Sequence, residues 1–195
     1  MRIHYLIFLF ITLTTVAQQK NSTKIESYLF DNFSVSKETY NIKSSVETNP
    51  NYDVYYIQQK FNNLEIHNAI STMAIKDGEI KSYSNRFVDE NYGKSSLLEP
   101  KIDSYSAIEQ ALNELNIREF KNSSDGWTNT NIDNIEPKLI YVNKEGKLHL
   151  AWNFNIITTD HKNWYDIFVS ADNGKILITE NWMINCEFDK DGNHT

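Results

Sequence analysis

The sequence contains a single cysteine, Cys186, among 195 residues. That excludes an intrachain disulfide framework and any zinc site built from several thiolates. Three prolines and six glycines exclude a collagen-like or Pro/Gly-rich low-complexity chain. A basic stripe is also missing: Lys+Arg is 19 against 26 Asp+Glu, for a net charge of -7. Nucleic-acid binding needs clustered Lys and Arg at phosphates, so that class is excluded. The signatures of the common chemistries are missing as well. No His-Glu-x-x-His, no Gly-x-Ser-x-Gly elbow and no phosphate-binding Gly loop occurs. Glu65, Asp77, Glu79, Asp89 and Glu90 mark turns and solvated faces rather than a paired acid and base. His67 and His149 fall singly within strands, and Asp160-His161 is a weak proton-transfer pair in a loop.

Hydrophobic residues make up 40% of the chain and aromatics 13%, enough to build a core. The length allows one domain or two small ones. At the N-terminus a short n-region with Arg2 precedes the apolar run Tyr5 to Thr15, and Thr15-Val16-Ala17 places small residues where a signal peptidase reads. Residues 1–17 read as a secretory signal peptide cleaved between Ala17 and Gln18. The run is too short to span a bilayer, which takes roughly 20 residues. The expected destination is therefore outside the cytoplasm, extracellular or periplasmic, with no membrane anchor once the signal is removed.

Residues 18–52 read as an N-terminal helix and an extended connector. Thr23-Lys24-Ile25-Glu26 fits a capping box, and Ile25, Tyr28, Leu29 and Phe33 share one helical face. The polar stretch Ser34 to Asn51 is read as connector. Residues 53–90 alternate as an antiparallel meander, with turns at Asn62-Asn63 and Asp77-Gly78, residue types that tolerate positive φ. Residues 91–102 form a linker. Residues 103–182 begin with a helix capped by Asp103 or Ser104, whose Ala107, Ile108, Ala111, Leu112 and Leu115 share an apolar face. Strands follow over Lys138–Asn143, Leu148–Thr158, Trp164–Ser170 and Lys175–Asn181, and residues 183–195 form a tail. The expected class is α+β: a small antiparallel meander, then a helix packed on an antiparallel sheet.

Several of these segments resemble a known module. Val54-Tyr55-Tyr56-Ile57-Gln58-Gln59, Leu64-Glu65-Ile66-His67-Asn68-Ala69, Lys76-Asp77-Gly78-Glu79-Ile80 and Asn85-Arg86-Phe87 resemble the fungalysin/thermolysin propeptide (FTP) module. Its motif positions fall here on Tyr56, Gln58, Gln59, Ile66, Asn68, Ala69, Asp77 and Gly78. Asn63 stands where the family often has Gly. The second unit is similar to a PepSY-type, cystatin-like propeptide domain, through Ala107, Ala111, Trp152, the strand Trp164–Val169 and the turn ending at Gly174. The order of signal, helix, FTP and PepSY is that of secreted fungalysin-type zinc metallopeptidase precursors.

The resemblance implies a prosegment without its peptidase. Such a segment holds a metallopeptidase catalytic domain latent and assists its folding, in cis or in trans. It implies no enzyme and no cofactor in this chain; zinc is expected only in the absent peptidase domain. Trp182, Met183 and Phe188 are the candidate protease contacts, being apolar residues in a polar ending; the other reading is that they complete the core sheet. Two alternatives remain open at this level: a free-standing secreted binding module that regulates a separate protease or envelope partner, and a fragment of a longer enzyme.

Overall fold

The structure, a computed structural model, describes residues 21–49, 52–93, 96–122 and 132–183. The signal segment with Ala17 and Gln18, the residue Cys186 and the tail residue Phe188 lie outside the described residues. The chain divides into two compact units, one up to Asp89 and one from Glu90. Each is a helix with an antiparallel sheet, so the α+β class expected from the sequence is what the chain adopts.

In the first unit, helix α1 covers residues 21–33. It is already helical at 21, so Thr23 lies inside the helix and not at its cap. A short 3-10 turn at Lys37–Thr39 leads into four strands: β1 (Tyr40–Asn49), β2 (Tyr52–Phe61), β3 (Leu64–Lys76) and β4 (Glu79–Ser84). They pair in sequence order, all antiparallel. Ile25 and Leu29, one helical turn apart, are fully buried against Tyr40, Tyr55, Ile57, Met73 and Ile75. Phe30, on the far side of the helix, is 65% exposed.

Strand β1 corrects the reading of residues 34–51 as connector. It is a full ladder with β2, from Tyr40↔Gln59 to Asn49↔Tyr52. Register shifts after Ile42 and after Val46 interrupt its alternation, so a period-two pattern cannot be followed through it. The turns came out as the residue types require. Asn62 and Asn63 have φ of 48° and 63°, and Asp77 and Gly78 have 52° and 73°, the doubly positive pair of a type I′ hairpin.

In the second unit, α2 (Ser104–Glu114) is capped at both ends. The Asp103 carboxylate accepts from the Ser106 amide at 2.8 Å, which satisfies one orphan donor of the first turn. At the other end Asn116 adopts φ 54°, while Asn116 N donates to Asn113 O and Ile117 N to Leu112 O. That pair of bonds is a Schellman motif with Asn in the left-handed position. The strands are β5 (Phe120–Asn122), β6 (Lys138–Lys144), β7 (Lys147–Thr158), β8 (Trp164–Ser170) and β9 (Ile176–Asn181). The long β7 organises this sheet. Along one edge it pairs with β6 and then with β5, and along the other with β8; β9 pairs with β8. Strand β5 is not among the strands read from the sequence; three residues are too few to show a period. Ala107, Ile108, Ala111 and Leu112 of α2 are buried on Phe154, Ile156, Ile167 and Val169, so the helix covers one face of the sheet.

Candidate functional site

The residues carrying the family resemblance in the first unit form one connected clasp. Gln58 and Gln59 are neighbours on β2 and so point to opposite faces. Gln58 is 3% exposed. Its amide donates to Ile66 O at 2.8 Å and Gln59 O at 3.0 Å, and approaches Ala69 O at 3.4 Å. The reason lies in the register. Gln58 pairs with Ile70 but Lys60 pairs with Glu65, so β3 bulges across residues 66–69. Asn68, at φ 59°, makes the bend that Asn tolerates, and Ile66 and Ala69 bury their side chains beside it. The bulge takes carbonyls off the ladder, and the Gln58 amide supplies the donors.

Gln59 works on the other face. Its amide donates to Val88 O at 2.8 Å and its carbonyl oxygen accepts from Val88 N at 2.6 Å, so it pairs with the backbone after β4 as a strand residue would. The same returning segment is held by Arg86 N donating to Ser71 Oγ at 2.9 Å and by Phe87 N donating to Asn85 Oδ1 at 2.9 Å. The Phe87 ring stacks on Tyr40 with centroids 6.4 Å apart. Lys24 of α1 reaches the carbonyl of Gly78 in the β3–β4 turn. Tyr56 is half-buried on β2, opposite Thr72. These residues therefore build the fold, and none of them converges on an open polar site.

In the second unit Trp152 packs on the α2 core and donates its indole N–H to Ile102 O at 3.0 Å. Gly174 sits in the β8–β9 turn at φ 76°, beside the Gln110 side chain of α2. That left-handed angle is the one glycine adopts without cost. The Asp160–His161 pair is a turn: Asp160 accepts from Thr158 Oγ1 at 2.6 Å and from Lys162 N at 3.1 Å. Those bonds, the Thr158 one foremost, hold its carboxyl below the usual range. Both bonds fall on Oδ1, while Oδ2 faces Lys162 Nζ at 4.0 Å.

Two of the expected contact residues, Trp182 and Met183, directly follow β9. Trp182 N donates to Trp164 O at 2.8 Å, so its backbone extends the ladder, yet its side chain leaves it 49% exposed. Its ring meets Trp164 edge-on, 5.4 Å between centroids. Met183 is half-buried, and its amide donates to Asn181 Oδ1 at 3.1 Å. Asn181 Oδ1 also accepts from Trp164 N at 3.1 Å. Trp182 thus has its backbone in the ladder and its indole half in solvent.

Beside this corner, the β7–β8 face turned away from α2 carries polar groups that sequence reasoning passed over. Asn153 pairs with Phe168, Asn155 with Asp166 and Ile157 with Trp164. Asp166 is only 6% exposed and accepts from Asn153 Nδ2 at 2.5 Å. Asn155 Oδ1 and Trp164 Nε1 are buried with no hydrogen-bond partner. One unmet acceptor and one unmet donor lie diagonally across two strands, and an amide group offers the complement of both. The Asn-Phe-Asn alternation of β7 was the signal that could have placed these residues on one face. Among the described residues, no three His, Cys, Asp or Glu side chains gather as metal ligands. No helix of the described residues is long and apolar enough to cross a membrane.

No protein-family model matches the sequence, and no curated protein matches it. Among solved structures the chain is similar to the C-terminal domain of Bacillus megaterium YpeB, at 16% identity and a TM-score of 0.43, over 85% of this chain and 65% of that one. It therefore spans just under two thirds of that domain's length. It is also similar to a candidate lipoprotein of Clostridium difficile 630, at 18% identity and a TM-score of 0.28, over 82% of this chain and 91% of that one.

Proposed function

We propose that the chain is a non-catalytic prosegment of the FTP–PepSY kind, exported by residues 1–17, that binds a fungalysin-type zinc metallopeptidase domain, holds it latent and assists its folding, in cis or in trans. The observation that carries this reading is the clasp. Gln58, Gln59, Asn68, Asn85 and Phe87, scattered over the sequence, serve one bulge and one returning segment. That these residues interlock supports reading them as one motif rather than a chance run of residue types. With those residues committed to the scaffold, function falls to surfaces, and a half-exposed Trp182 against Trp164 suits an anchor of a protein interface. The zinc belongs to the peptidase domain, which would supply its ligands.

The experiment uses the full chain and the catalytic domain of a fungalysin-type metallopeptidase. The domain is unfolded in denaturant and refolded with and without the chain, and native domain is assayed with the chain in excess. The expected outcome is a higher refolding yield together with suppressed proteolysis. Binding without inhibition would instead support a free-standing regulatory module. Absence of binding, inhibition and refolding assistance would remove the prosegment reading.

A further inference from the structure

The second unit has a cleft of about 560 Å³ at the end of its sheet, away from the tryptophan corner in the sequence of β9. It follows from strand lengths. Strand β8 stops at Ser170, opposite Ala151, while β6 and β7 run on to their turn at Glu145-Gly146. That leaves a notch between the β6–β7 hairpin and the β8–β9 turn. On the free edge of β7, Ser96 Oγ donates to Leu148 O at 2.7 Å and Ala171 N to Leu150 O at 2.9 Å. Lys144 Nζ reaches Leu177 O at 3.1 Å across the opening.

The charge of this notch is opposite to that of the chain. Lys101, Lys144, Lys147 and Lys175 line it with His149, against one carboxylate, Asp172. Asp172 pairs with Lys101 at 2.6 Å. Among the described residues, no ion pair engages Lys144, Lys147 or Lys175. The chain as a whole carries -7, so three unneutralised ammonium groups around one notch are a local reversal. Like charges gathered at a cleft repel one another and favour an anionic occupant. The floor between them is aliphatic, from Leu148, Leu150, Ile176 and Leu177. That apolar floor suits an anion carrying apolar side chains, such as an acidic peptide, better than bare phosphate, which has no apolar surface to bury on it.

We infer that this cleft docks an acidic segment of a partner polypeptide, its carboxylates on Lys144, Lys147 and Lys175 and its apolar side chains on the aliphatic floor. The volume lies within the range of ligand pockets, and charge complementarity of this kind sets specificity and association rate. The inference goes beyond the prosegment reading and does not depend on it: inhibition of a metallopeptidase without peptide binding would spare that reading and remove this one.

The test is fluorescence anisotropy of a labelled octapeptide of alternating Glu and Leu, titrated with the full chain at low ionic strength. A Lys/Leu octapeptide is the control, and inorganic phosphate is the competitor. The expected result is binding of the Glu/Leu peptide only, weakened about 10-fold or more by Lys147→Glu with Lys175→Glu and less by the two Lys→Gln changes. Circular dichroism melts of both variants should match the parent, since neither lysine makes an ion pair among the described residues. Equal binding to the charge-reversed protein, equal binding of the Lys/Leu peptide, or displacement by equimolar phosphate would each overturn the inference.

Discussion

Gln58 and Gln59 are consecutive and of one type, yet each serves a different part of the first unit. Replacing Gln58 by Ala strands the carbonyls exposed by the β3 bulge, because Ile66 O loses its 2.8 Å donor. A loss of about 1–3 kcal/mol is expected for a buried group left without its partner, read as a lower urea midpoint at unchanged slope; an unchanged midpoint would show that the bulge does not need the amide. Tyr40 sets a second test. Burial, helped by the carboxylates of Glu26 and Glu38, pushes its hydroxyl up from 10.0 to about 12. The sign follows from linkage: the neutral phenol is favoured in the folded state, so the contribution is complete below pH 10 and is lost as pH rises to about 12. The loss is on the order of 2–3 kcal/mol. Tyr40→Phe should flatten that alkaline limb, measured as urea midpoints at pH 9 and pH 11.5. Equal slopes in the two proteins would mean another group titrates there, with Tyr55 and Tyr83, also raised by burial, next in line.

At the scale of elements, the features readable from sequence were those a single residue type decides. Positive φ at Asn62, Asn63, Asp77, Gly78, Glu145 and Gly146 made three hairpin turns, and five of those six residues are Asn, Asp or Gly. The α2 cap was readable for the same reason, since Asp103 bonds the amide three residues on. Strand β1 was not readable: its two register shifts scramble the alternation, and as an edge strand it carries polar residues such as Lys43. The clasp was visible as a motif, but its purpose was not, because the bulge it repairs exists only once β2 and β3 have paired. Helix α1 offers the matching prediction. Leu29→Ala removes a fully buried side chain and should cost about 2–5 kcal/mol, whereas Phe30→Ala, at a 65% exposed position, should stay within about 0.5 kcal/mol. Thermal or urea unfolding of the two variants decides it; equal losses would contradict the helix face assigned here.

For the molecule as a whole, both units repeat one plan, a helix on an antiparallel sheet, and among the described residues no three His, Cys, Asp or Glu side chains gather as metal ligands. Two surfaces of the second unit differ in kind: an aromatic corner with an unmet donor and acceptor nearby, and a lysine-lined notch in an acidic chain. The sequence singled out Trp182 as a candidate contact; Asn155 and the Trp164 indole went unnoticed, because only strand pairing sets them on one face, diagonally across β7 and β8. The most direct measurement is the inhibition constant of the full chain, and of its Trp182→Ala variant, against a fungalysin-type metallopeptidase domain, with melting temperature as the control. The prosegment account predicts inhibition by the parent chain, a constant raised about 10-fold or more by the substitution, and a melting temperature nearly unchanged, as the Trp182 backbone bond to Trp164 is kept. A parent chain that neither binds nor inhibits the domain would contradict it.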